Sequence, residues 1–196
     1  MTSEDNTRDN STRWRSTLAQ LGSVIALSVS FLALALGAYQ TRLMQNQARA
    51  SVWPFIAIGY LYNDAGPNAG FTWQIDNNGV GPARIESVKV TFDDQPVRHW
   101  NEVLKKLLPQ TEVFVSINGV NGNVLPPNTN RETTIEAIKI TKSEQAKIFY
   151  AARDRFKMDI CYCSVYDECW TAHWLQHKVQ AVERCEVGKG GAEFEE

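Results

Sequence analysis

Cys161, Cys163, Cys169 and Cys185, with His173 and His177 close by, are the densest gathering in this chain of side chains that could hold a metal or form disulfides. Tetrahedral zinc sites draw their ligands as close pairs from tight turns. Here Cys161 and Cys163 stand two residues apart in a strand-like stretch, which puts both on one face, and no Cys-x-x-Cys pair occurs. The spacing argues against a metal and leaves two readings, buried thiols or a disulfide among Cys163, Cys169 and Cys185. A turn at Asp167-Glu168 would set Cys163 opposite Ala172, and a further turn near His177-Lys178 would set Cys185 opposite Trp170 on the same sheet face.

A second candidate is the run Asn77-Asn78-Gly79-Val80-Gly81-Pro82-Ala83. Its glycines can take positive backbone torsions and Pro82 fixes the start of the next strand. No Lys-Ser or Lys-Thr follows and the next element reads as a strand, so Asn77, Gly79, Gly81 and Pro82 form a structural turn rather than a phosphate cradle. His99, His173 and His177 have no serine elbow or short-range carboxylate partner, so no catalytic residue is assigned and no cofactor is expected. Among the tryptophans, Trp100 and Trp174 are the candidates for a partner surface. The formal net charge of -2, without a basic stripe, gives no reason to expect nucleic acid.

The elements that must position these residues are mostly strands. Val52 to Tyr60, Phe71 to Ile75, Ile85 to Phe92, Val113 to Ile117 and Thr133 to Ile138 alternate or run in strand formers, and Ile160 to Tyr166 and Trp170 to Leu175 follow as a meander. Helical spacing marks His99 to Leu108, with Val103, Leu104, Leu107 and Leu108 on one face. A capping box at Thr141 and Glu144 marks a second helix over 142–153, with Ile148, Phe149 and Ala152 inward. Seven or eight short strands with two short inserted helices predict a mainly β fold, a β-sandwich over residues 50–187.

Ahead of this domain no charged side chain lies between Arg15 and Arg42, and Leu21 to Tyr39 is almost wholly apolar or small. Nineteen helical residues rise roughly 28 Å, the thickness of a bilayer's hydrocarbon. Residues 16–49 therefore read as a transmembrane helix and its extension, residues 1–15 as a disordered tail and 188–196 as a disordered acidic tail. A cleaved signal peptide is the competing reading, but the apolar run exceeds the usual signal length and continues as helix. Gly22, Ala26 and Ser30 on one stripe, with Ala33 and Gly37 on another, permit close helix pairing in lipid. Arg8, Arg13 and Arg15 before the span outweigh Arg42 and Arg49 after it, which favours the tail in the cytoplasm and the domain in the periplasm over the reverse.

The Trp53-Pro54 strand start, the Asn-x-Gly-x-Gly-Pro-Ala turn at Asn77 to Ala83, and the Tyr-x-Ser-x-Tyr strand at Tyr162 to Tyr166 followed by Trp170 resemble a group of uncharacterised bacterial membrane-anchored proteins with one N-terminal span. The resemblance implies a fold and no activity. The chain is thus expected to be a non-enzymatic, single-pass inner-membrane module that contacts lipid, forms a homo-oligomer through its helix and binds a ligand or protein partner. The alternative is a ligand-gated effector or pore subunit of a bacterial immune system, whose sensing domain would face the cytoplasm.

Overall fold

A computed structural model describes residues 4–109, 112–127, 133–174, 176, 178–186 and 194–195. The chain divides into two units, Met1–Ala48 and Arg49–Glu196.

The first unit belongs to one helix, α1 (Glu4–Ala50). Its Gln20–Ala50 portion, 31 residues with a mean hydropathy of 2.2 in its most apolar window, is long and apolar enough to cross a membrane. Its serine and threonine hydroxyls are satisfied by the helix's own carbonyls: Ser23 Oγ donates to Gln20, Ser28 to Val24, Ser30 to Ala26 and Thr41 to Gly37, all at 2.8–2.9 Å. These serines and threonine therefore add no unpaired donor to the apolar helix. The expected disordered tail at 1–15 is corrected from Glu4 onward, where the helix already runs. No proline or glycine lies between Glu4 and Leu21, so a helix formed in the apolar part can propagate through the polar one at one hydrogen bond per residue.

The second unit contains, among the described residues, ten strands and two α-helices. In chain order these are β1 (Ile56–Asn63), β2 (Gly70–Asn77), β3 (Ala83–Phe92), β4 (Gln95–Val97), α2 (Trp100–Leu107), β5 (Val115–Ile117), β6 (Val124–Leu125), β7 (Ile135–Ile140), α3 (Ser143–Ala152), β8 (Phe156–Cys163), β9 (Cys169–His173) and β10 (Gln180–Val182). They form two antiparallel sheets, ordered β1-β2-β7-β5 and β10-β9-β8-β3-β4, with β6 also paired to β3. Their apolar faces share one core. Trp73 is fully buried, with ring centroids of Phe71, Phe156, Trp174 and Trp100 between 4.6 and 5.8 Å away. The helix α3 seats Phe149 against Phe71.

Local chemistry explains several details. Asp93 and Asp94, both at positive φ (54° and 61°), close the β3–β4 hairpin in the conformation that two-residue turns need. The Arg155 guanidinium grips the Asp93 carboxylate at 2.6 and 2.7 Å and holds it below the usual carboxylate range, while Lys157 pairs with Asp94. The helix α3 starts at Ser143 behind Lys142, with no side-chain cap, so the expected Thr141–Glu144 capping box does not form. Gln145 is buried instead, its Nε2 donating to the Glu112 carbonyl at 2.8 Å. Ile148, expected inward, is exposed.

Two further expectations are corrected. Trp100 and Trp174 belong to the core, 0% and 8% exposed, and offer no partner surface. Within the predicted acidic tail, Phe194 is buried against Trp100 at 5.2 Å and donates its N–H to the Val88 carbonyl at 2.9 Å. Glu195 pairs with Arg98 and with His99. A single large aromatic supplies enough apolar surface to hold these two residues on the domain; 188–193 and 196 lie outside the described residues.

Burial pushes the Tyr162 phenol from 10.0 up to about 12. A raised value means that the neutral phenol favours the fold, so this contribution is complete below pH 10 and is lost as pH climbs towards 12. Ultraviolet absorbance should show Tyr162 ionising only together with alkaline unfolding, and Tyr162→Phe should remove that share of the pH dependence.

Candidate functional site

The outer face of the larger sheet is where polar side chains converge. A bulge between Ile85 and Ser87 shifts the phase of β3, so that Val88, Val90 and Phe92 enter the core while Ser87 and Lys89 point outward. Cross-strand pairing then lays down two rows. Ser87, Cys161 and Thr171 form one, and Lys89, Asp159 and His173 the other. The end of β10 with the segment following it folds over these rows. With Val182, Glu183, Arg184 and Glu186 as its wall, it closes a groove of about 490 Å³ whose floor is Ser87, Lys89, Asp159, Cys161 and Thr171.

Two disulfides hold that wall and the adjoining hairpin. Cys161 is bonded to Cys185, pinning the wall segment to β8, and Cys163 is bonded to Cys169 across the turn joining β8 to β9. Of the cysteines expected to pair, Cys163 and Cys169 are bonded to each other, whereas Cys185 takes Cys161, outside the expected set, as its partner. The turn also comes earlier than expected and centres on Tyr166, with Ser164 N–H bonded to the Glu168 carbonyl at 2.8 Å. Cys163 therefore stands opposite Cys169 rather than Ala172, and Ala181, rather than Cys185, stands opposite Trp170. Loop-closure entropy makes the Cys161–Cys185 link, 24 residues apart, worth more than the Cys163–Cys169 link, 6 apart. The double variants C161S/C185S and C163S/C169S should lose about 3–4 and about 2 kcal/mol respectively, measured by denaturant unfolding of the full chain.

Beside the groove floor, His173 Nδ1 lies 2.7 Å from Asp159 Oδ1 with both side chains partly exposed. The pair has the orientation of a carboxylate that fixes an imidazole. Among the described residues no serine, threonine or cysteine is hydrogen-bonded to His173, so the nucleophile of a triad is not assembled. Lys89, Arg184 and Glu183 form no side-chain ion pair among the described residues. The groove thus offers a ligand uncommitted charges of both signs alongside the Ser87 and Thr171 hydroxyls. His99 sits far along the chain from this pair, beside Glu195, and His177 lies outside the described residues.

The predicted structural turn has a definite task, because it receives the segment that leaves the long helix. Asn77 is fully buried. Its Oδ1 accepts the N–H groups of Phe55 (3.1 Å) and Gly79 (3.0 Å), and its Nδ2 donates to the carbonyls of Gly81 (2.8 Å) and Leu125 (3.0 Å). The Trp53 carbonyl accepts the N–H of Val80 at 2.9 Å, and Asn78 N–H reaches the Phe55 carbonyl at 2.8 Å. Gly79 and Gly81 allow this approach: a Cβ on Gly79 would fall 2.4 Å from Phe55 N, and one on Gly81 2.0 Å from the Val52 carbonyl oxygen. In α1, Gly22 and Gly37 have open space around them, and Ser30, Ala33 and Gly37 line a shallow furrow.

No curated protein and no solved structure matches the chain. The family described as a domain of unknown function, DUF8453, matches residues 16–178, a stretch that takes in the apolar helix and every strand from β1 to β9. The chain therefore belongs to the DUF8453 family.

Proposed function

We propose that this protein is a non-enzymatic binding module of the bacterial inner membrane: a single-pass helix carries a β-sandwich whose outer-face groove takes a polar ligand or a protein partner on the periplasmic side. The observation that carries the reading is the Gln20–Ala50 helix leading directly into a domain stapled by two disulfides. Disulfides persist in oxidising compartments, which supports an outer location. The family match begins at residue 16, before the apolar run, which favours a retained anchor over a removed leader.

Carbonate extraction together with C-terminal reporter fusions tests this. The expected result is a chain that stays in the membrane pellet, with active alkaline phosphatase and dark green fluorescent protein. Release of the mature domain, or a fluorescent fusion, overturns it, the latter in favour of a cytoplasmic sensing domain coupled to a membrane effector.

Homo-oligomerisation through the helix rests on the small residues Gly22, Ala26, Ser30, Ala33 and Gly37. Because nothing lies within 4 Å of a Cβ at Gly37, Gly37→Ile adds bulk without disturbing the isolated helix. Its expected effect is loss of self-association in a membrane dimerisation reporter at unchanged expression.

A further inference from the structure

We propose that the four cysteines form, once reduced, a single tetrahedral thiolate site for a soft divalent cation of the zinc class, and that the two disulfides are the oxidised state of that site. The placement of the sulfurs carries the inference. Cys161 and Cys163 share the outer face of β8, Cys169 faces Cys163 from β9, and Cys185 reaches them from the segment beyond β10. The Sγ atoms of Cys163, Cys169 and Cys185 all lie within 4.8 Å of one another, and Cys161 is bonded to Cys185, so four sulfurs occupy one small volume. Cys163 and Cys185 are not bonded, yet their sulfurs are 3.8 Å apart. Four thiolates about 2.3 Å from a zinc ion stand roughly 3.8 Å from each other. The unbonded pair therefore already has the edge length of a zinc–thiolate tetrahedron, and only the two bonded pairs must separate to complete it.

The surroundings suit such a site. Cys161, Cys163 and Cys169 are buried and Cys185 is half-buried, so water has little access. Four sulfur ligands select a soft ion over magnesium or calcium. A tetrathiolate around a divalent ion carries two net negative charges, and Arg184, next to Cys185, and Lys89, in the groove with Cys161, are cations without an ion-pair partner among the described residues. The missing Cys-x-x-Cys spacing is replaced by a cross-strand pair and a returning segment, which sequence spacing cannot show. In either state the Cys185 segment stays fastened to β8, so the groove keeps its wall while the site changes between redox forms. The inference stands independently of which side of the membrane holds the domain.

The chemistry balances as follows. A phosphine attacks each disulfide, and with one water per bond yields two thiols and a phosphine oxide. Four thiols then bind one divalent ion and release four protons.

The test uses full-length protein in detergent, reduced with a water-soluble phosphine without oxygen and titrated with cobalt(II) as the spectroscopic probe. The expected result is one equivalent bound, with the thiolate-to-metal charge-transfer and visible bands of tetrahedral cobalt, reversed by zinc. C161S, C163S, C169S and C185S should each weaken binding by more than the roughly 100-fold that loss of an outer-shell partner can cost. Zinc should also raise the thermal unfolding temperature of the reduced chain while leaving that of the oxidised chain unchanged. An octahedral cobalt spectrum alone, whether or not circular dichroism shows the reduced chain folded, overturns the proposal. So does a tetrahedral signal undiminished in C163S or C185S.

Discussion

Replacing Asn77 with alanine is expected to lower the unfolding free energy by about 3–5 kcal/mol, among the largest effects of any single change in the domain. The side chain is wholly buried and makes four hydrogen bonds, to Phe55, Gly79, Gly81 and Leu125. Truncation leaves two main-chain donors and two main-chain acceptors without their side-chain partner, the carbonyls of Gly81 and Leu125 in a buried setting, and that desolvation dominates the loss. For a domain of this size the corresponding fall in Tm is roughly 6–20 °C. Asn77→Asp discriminates the cause: it retains the acceptor atoms but sets a carboxylate against the Gly81 and Leu125 carbonyls, so it should be as damaging as alanine despite its shape. Gly81→Ala should act through the same junction, because its Cβ would overlap the Val52 carbonyl oxygen and push the incoming segment away. Denaturant unfolding of the three variants checks all of this; a change below about 1 kcal/mol for Asn77→Ala would mean that the junction is not holding the domain together.

Trp73→Ala is expected to cost about 3–5 kcal/mol by a different mechanism. Trp73 stands at the centre of β2 with no solvent exposure, and its ring meets Phe71, Trp100, Phe156 and Trp174 from both sheets and from α2. Removing it leaves a cavity where the two apolar faces meet, and rigid aromatic neighbours fill such a space poorly. Trp73→Phe should recover much of the loss. Near-ultraviolet circular dichroism should flatten in the alanine variant before far-ultraviolet signal changes, as aromatic packing loosens ahead of the strands.

Much of the fold could be read from residue order because it depends on local periodicity. The uncharged run before Arg42 requires a long apolar helix, and the alternation of Phe71, Trp73 and Ile75 with Thr72 and Gln74 requires a strand with one buried face. The helices after His99 and Lys142 fall within a residue or two of their expected ends. Trp100 was readable too: it stands three and four residues before Val103 and Leu104, on the same helical face, and Trp174 continues the inward alternation of Trp170 and Ala172. Their burial follows from spacing once bulk is not equated with a surface role. The groove was not readable. It depends on one extra residue in β3, which turns Ser87 and Lys89 outward, and on a segment some hundred residues later folding back over them. The cysteine pairing was lost for a related reason: a turn centred on Tyr166, earlier than Asp167-Glu168, shifts which residues stand opposite each other on the strands.

The Asn77 junction also decides how the domain would respond to a mechanical load. Tension applied along the polypeptide at Ala50 reaches the Trp53 carbonyl, bonded to Val80, then the Phe55 N–H on the Asn77 side chain and the Phe55 carbonyl on Asn78, before it touches β1. Because the same side chain also grips Leu125, beside β3 in the other sheet, the pull is divided between the two sheets and does not fall on one edge strand alone. A protein drawn by its helix should therefore yield in one cooperative step, and Asn77→Ala should convert that step into the early peeling of β1 at lower force.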